Sequence, residues 1–247
     1  MGTYYRWALA LIAPLLLAGC LLIPGKFESQ LRLMNDGTYS FTYNGEMQMP
    51  EDDDQSMFSQ SAMAGDKPDS EDAANKAQAN NPLSAMFGRA VPGNDESMKE
   101  FAAQLTKYDG WNRVEYMGDN VFEVEYAISG RFDQMFAFPT VPGATMQFPF
   151  VQIIRRIGGE LEVLTPAMAG PGGLAGAMGS MPMGSASKQP KMQPIDGTFT
   201  IVTDGEVLGN NSEDGLTLDG STKTVRWKVD GMSGPDGSPR AIIKLDR

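Results

Sequence analysis

The whole chain carries one thiol, Cys20, and no histidine. A thiolate is a nucleophile and a soft metal ligand, but a single one can build neither a disulfide nor a thiolate metal site. Imidazole is the usual base near neutral pH and the commonest metal ligand, so its absence excludes a Ser-His-Asp triad and a His-containing zinc site. Carboxylates are what remain, because two acids suffice for glycoside hydrolysis. Glu123, Glu125, Glu160 and Asp204 are the candidates, with Glu123 and Glu125 on one face of a strand. The same spacing describes an ordinary solvated strand. Glu51-Asp52-Asp53-Asp54 is acidic enough to attract calcium, yet it lacks the ligand spacing and turn glycine of a dedicated loop. The chemistry-bearing residues therefore assign no metal, no cofactor and no catalytic group, and the expectation is a protein that is not an enzyme.

The surroundings of the thiol are more specific. An apolar run from Trp7 to Leu16 follows Arg6 and ends in Leu17-Ala18-Gly19-Cys20. That run has the length of a signal-peptide core and falls short of the roughly 20 residues needed to cross a bilayer as a helix. Small side chains at Ala18 and Gly19 let an extended backbone enter a peptidase groove. The segment resembles the lipobox of bacterial lipoprotein precursors. The resemblance implies cleavage before Cys20, a diacylglycerol joined to the thiol as a thioether, and acylation of the new amino terminus. Leu21, where an aspartate would signal retention, implies by the Gram-negative sorting rule an outer-membrane address facing the periplasm. The competing reading is an ordinary signal peptide or start-transfer helix with an incidental cysteine. On the lipoprotein reading, residues 1–19 are the signal peptide, 20–25 a lipidated tether and 26–245 a single domain.

The chain has 247 residues, with 31 acidic against 20 basic side chains, for a net charge of −11. That surface repels phosphate backbones, and nucleic acid is excluded as a partner. Lys26 to Met34 and Thr38 to Tyr43 alternate apolar and polar about Asn35-Asp36-Gly37, which predicts a β-hairpin. Period-two alternation puts Phe27, Leu31 and Leu33 on one face with Tyr39, Phe41 and Tyr43. Residues 50–82 lose apolar periodicity and read as a disordered acidic insertion.

Asn94 can cap a helix carrying Met98, Phe101, Ala102 and Leu105 at helical spacing, with acids in its first turn. Trp111 to Tyr116 and Val121 to Ile128 predict a second hairpin about Gly118-Asp119-Asn120. A strand is expected from Val151 to Ile157, paired with Glu160 to Leu164 across Gly158-Gly159. Further strands are expected at Gly197 to Thr203, Glu206 to Asn211, Thr224 to Val229 and Ala241 to Leu245. The fold class is α+β: a curved, mainly antiparallel sheet built from hairpins, one principal helix against it, and long irregular insertions.

Two segments invite a binding role. Phe132, Phe136, Phe138, Phe148 and Phe150 crowd a proline-punctuated stretch that reads either as a loop packed over the sheet or as an apolar ligand wall. Residues 167–193 form a flexible Gly/Met-rich loop in which Met178, Met181 and Met183 offer an adaptable apolar surface. Clustered thioethers also suit Cu(I), but methionine recurs throughout the chain.

The late series Phe199-Thr200-Ile201-Val202-Thr203-Asp204-Gly205-Glu206-Val207, then Asn210-Asn211 and Thr224-Val225-Arg226-Trp227, resembles the closing pattern of LppM-type lipoprotein domains. The resemblance implies an α+β envelope domain with lipid-binding capacity and no established catalytic apparatus. The leading expectation is thus a non-enzymatic, membrane-anchored envelope lipoprotein that binds a lipid or other apolar ligand. The first alternative is an interaction or assembly module for another envelope protein. The second is a carboxylate-dependent cell-wall hydrolase.

Overall fold

The computed structural model describes residues 19–20, 22–49, 94–132, 135–141, 146–147, 149–169, 193–231 and 237–246. The acidic insertion at 50–82 lies outside them, as does most of the Gly/Met-rich loop. The first half contains β1 (Gly19–Cys20), β2 (Ile23–Leu33), β3 (Thr38–Gln48), a helix α1 (Asp95–Leu105), β4 (Trp111–Gly118) and β5 (Val121–Arg131). The second half contains β6 (Phe136–Phe138), β7 (Met146–Gln147), β8 (Val151–Arg155), β9 (Leu161–Leu164) and a 3-10 turn at Pro166–Ala169. It ends with β10 (Asp196–Thr203), β11 (Glu206–Asn210), β12 (Leu216–Asp219), β13 (Thr222–Val229) and β14 (Arg240–Lys244). The class is α+β.

The expected single sheet is in fact divided. A seven-stranded sheet runs β12-β13-β10-β2-β3-β5-β4, a five-stranded sheet runs β11-β14-β9-β8-β6, and β1 pairs with β7. Most pairings are antiparallel, but β10 lies parallel to β2 and β1 parallel to β7. Alternating strands can face a second sheet as readily as a helix, so the pattern of each hairpin does not disclose the division.

Both predicted hairpins form, and each is longer than expected. In the first, Leu31 faces Phe41 and Leu33 faces Tyr39, so the shared apolar face is as the alternation requires. Across the next pairing Tyr43 faces Tyr126 and Phe41 faces Ile128. The second hairpin turns at Asp119 and Asn120, whose φ angles of 50° and 59° match the paired left-handed conformations of a tight two-residue turn. The helix starts where Asn94 accepts the Ser97 N–H at 3.0 Å, with Asp95 and Glu96 in its first turn. Its apolar stripe meets the sheet where Phe101 packs on Phe122, ring centroids 5.7 Å apart. Among the described residues, β1, β6, β7 and β12 have no counterpart in the sequence reading, and β12 is the longest of them. All four of its side chains are exposed, so it carries no alternation of burial.

The tether boundary also moves. Leu22 is 1% exposed, and β2 begins at Ile23, so residues 22–25 belong to the folded domain and not to a free linker. Their apolar side chains supply the reason, since Leu22 and Ile23 join the same core as Phe27 and Leu31.

Strand β2 is irregular between Pro24 and Phe27, and glycine on both neighbours accommodates it. Gly45 on β3 has φ 140°, and a Cβ there would lie 2.2 Å from the Lys26 carbonyl oxygen. Gly197 on β10 faces Phe27, whose ring carbon would lie 2.4 Å from an added Cβ. Phe27 is thereby free to stack on Tyr43 at 5.5 Å. Replacing Gly197 with alanine forces that ring or its strand to shift, and should cost about 1–3 kcal/mol, read as a lower urea midpoint with unchanged slope. An unchanged midpoint would mean the Phe27 seat is not tight.

Candidate functional site

The two sheets meet through aromatic side chains. The Phe138 ring lies 4.9 Å from Phe41, 5.4 Å from Tyr43, 4.4 Å from Tyr126, 5.8 Å from Trp111 and 5.0 Å from Phe150, all between centroids. Phe136 reaches Tyr39 and Phe41 at 5.5 and 5.3 Å, and Phe132 meets Tyr39 edge-on at 6.0 Å. Such pairs gain stability beyond simple area burial. Phe132, Phe136, Phe138 and Phe150 are all buried, Phe138 and Phe150 completely, so their rings face each other and the sheet. They form the core, and as a ligand wall they present no open surface. Burial also keeps the Tyr43 hydroxyl un-ionised, pushing its pKa well up, while that hydroxyl donates to the Glu46 carbonyl oxygen at 2.6 Å. Phe148, Met178, Met181 and Met183 lie outside the described side chains, as do Leu17 and Ala18.

Gly19 and Cys20 are described through their backbone, which runs parallel to β7 with Gly19 opposite Met146 and Cys20 opposite Gln147. Ile23 pairs with Gln48, and Gln48 with Val121, so the start of β2 sits in one row with the end of β3 and the start of β5. The Gln48 side chain, 3% exposed, closes this row. Its amide nitrogen donates to the Gln193 carbonyl oxygen, and its amide oxygen accepts the Gln193 N–H, both at 2.8 Å. A longer contact of 3.5 Å reaches the Pro24 carbonyl oxygen. This clamp ties the first strand's pairing row to the chain entering β10. Nothing in the sequence singles out Gln48, since an isolated glutamine in a strand has no distinguishing pattern.

The four carboxylates offered for hydrolysis are spread over β5, the β8–β9 turn and the turn after β10. Glu123 and Glu125 do lie on one face of β5, but Glu125 is exposed and accepts from Arg113 at 3.3 Å. Asp204 follows β10, where its Oδ1 accepts the Asn35 N–H at 2.6 Å and its carbonyl oxygen accepts from Lys223 at 3.3 Å. Glu160 stands in the β8–β9 turn. Among the described residues, no group of three or more Cys, Asp or Glu could hold a metal ion.

A carboxylate that the sequence reading placed in a strand without a role is held by two ion pairs. Glu162 on β9 accepts from Arg156 Nε at 2.9 Å and from Arg240 Nε at 2.8 Å, with Arg240 Nη2 also bonded to it. The Arg156 hydrogen bond, followed by the hydrogen bond and charge of Arg240, holds its carboxyl below the usual glutamate range despite the opposing effect of burial. The pair joins β9 to β14 and to the β8–β9 turn, which is a structural task.

No protein family and no curated protein matches this chain.

A carboxyl whose folded pKa is depressed adds stability that is complete above the unfolded value and is lost as pH falls through the folded one. The Glu162→Gln variant should therefore lack one acid-sensitive component of stability below the ordinary glutamate range. Urea unfolding across that range checks this, and parallel acid limbs for both proteins would contradict it.

Proposed function

We propose that this chain is a non-enzymatic lipoprotein of the bacterial cell envelope, held to a membrane by lipid on Cys20 and displaying its β domain as an interaction module. The observation that carries this reading is the burial of Leu22 immediately beyond the lipobox-like segment. Among the described residues, a cut before Cys20 would remove one backbone partner, Gly19, and leave β2 and the sheet core whole. Cys20 would then be the first residue of the chain, two positions before buried Leu22. Each buried methylene adds about 0.8 kcal/mol of membrane affinity, and two or more acyl chains make attachment stable. Leu21 fits an outer-membrane address facing the periplasm.

The non-enzymatic part rests on composition, since histidine is absent and the lipid would consume the one thiol. The choice of an interaction module over a lipid carrier follows from the phenylalanines. Phe132, Phe136, Phe138 and Phe150 join the sheets, so an apolar ligand would have to meet other groups. An antiparallel domain stabilised by its own core is suited to presenting surfaces to an envelope protein.

Radiolabelled palmitate and membrane fractionation of the wild type and Cys20→Ser test the reading. Wild type should carry label and sediment with membranes, while Cys20→Ser should lose the label and leave the membrane fraction. Equal labelling of both, or an unlabelled wild type in the cytosol, would overturn it.

A further inference from the structure

We propose that the domain stands upright on the bilayer, seated on the rim formed by the ends of its strands nearest Cys20; this rests on the lipid attachment proposed above. Only Leu21 separates Cys20 from buried Leu22, two residue steps that together span at most about 7 Å. The fold beyond it is tied down, because β2 pairs with β3 at Ile23 and Pro24 and again from Phe27, with β10 from Lys26 onward, and the Gln48 clamp joins its first pairing row to Gln193. A lipid at Cys20 therefore fixes which surface of the domain meets the membrane.

That surface can be read from the strand register. Ile23 faces Gln48, Gln48 faces Val121, and Val121 faces Gly118, so the end of β4 with Met117 stands on the same rim as the start of β2, three strands away. The starts of β2, β5 and β10 and the ends of β3, β4 and β13 all share this rim. At the other end stand the Asn35-Asp36-Gly37 turn, the β10–β11 turn and the β8–β9 turn with fully exposed Ile157. Asn35 joins them there, donating to Asp204 at 2.6 Å and accepting the Asp246 N–H at 3.0 Å. Eleven-residue strands at about 3.3 Å per residue separate the two ends by roughly 35 Å. Exposed Asp95, Asp119 and Asp196 populate the rim near the anchor. Unpaired charge is costly to take out of water, so the rim rests at the headgroups and does not enter the hydrocarbon.

Because lipid consumes the native thiol, an introduced cysteine is uniquely available for a fluorophore. Met117→Cys and Ile157→Cys change two exposed side chains, 62% and fully open, and leave the core intact. The lipidated full-length variants are labelled and incorporated into phosphatidylcholine vesicles containing a headgroup spin label, which quenches at short range. Quenching should be severalfold stronger at residue 117 than at residue 157. Equal quenching at both positions, or the reverse order, would overturn the upright seating while leaving the anchor intact. Protein that fails to float with the vesicles would overturn the anchor and this proposal together.

Discussion

Contact between Phe138 and the inner face of the seven-stranded sheet makes two sheets into one body. Phe138 comes from the short β6, yet it reaches Phe41, Tyr43, Tyr126 and Trp111 across the interface and Phe150 beside it. No intramolecular disulfide is available to a chain with a single cysteine, so packing has to supply the cohesion. The aromatic layer does so at one end of the sheet, the helix stripe of Met98, Phe101 and Leu105 near Phe122, and the Phe199–Trp227 stack across β10 and β13. The Glu162 ion cluster then ties β9, at the centre of the five-stranded sheet, to β14 and to the β8–β9 turn.

Local elements were legible because their physics is local. Alternation of Leu31 and Leu33 with polar neighbours can place them on one face only, and Asn94 with two acids behind it is a helix start by hydrogen bonding and charge alone. Partition into two sheets was not legible, because inward-facing residues of β3 and β8 look alike until something decides what they face. Pairing of β2 with β10 joins Leu31 to Ile201 across most of the chain, a contact that no local pattern encodes. Strand β12 was invisible for the opposite reason: Leu216 and Leu218 are both exposed, so burial imposed no signature on the segment.

The candidate site divides in the same way. Small residues before a lone thiol form a local motif, and the structure adds that Leu22, two residues beyond the thiol, is buried. Phenylalanines and prolines between 132 and 150 could be read as core or as a ligand wall, since an aromatic side chain serves either use. Phe132, Phe136, Phe138 and Phe150 resolve toward core, each ring meeting ring or sheet. Glu162 and Gln48 escaped notice because their roles come from partners distant in sequence, Arg240 for one and Gln193 for the other.

The proposed working protein starts at Cys20, carries lipid there, and has its first buried side chain at Leu22. Intact mass of the protein extracted from its native membrane tests this most directly. The account predicts a chain lacking residues 1–19 and heavier than its polypeptide by the mass of attached acyl groups. A chain retaining Met1, or one starting at Cys20 with an unmodified thiol, would contradict it.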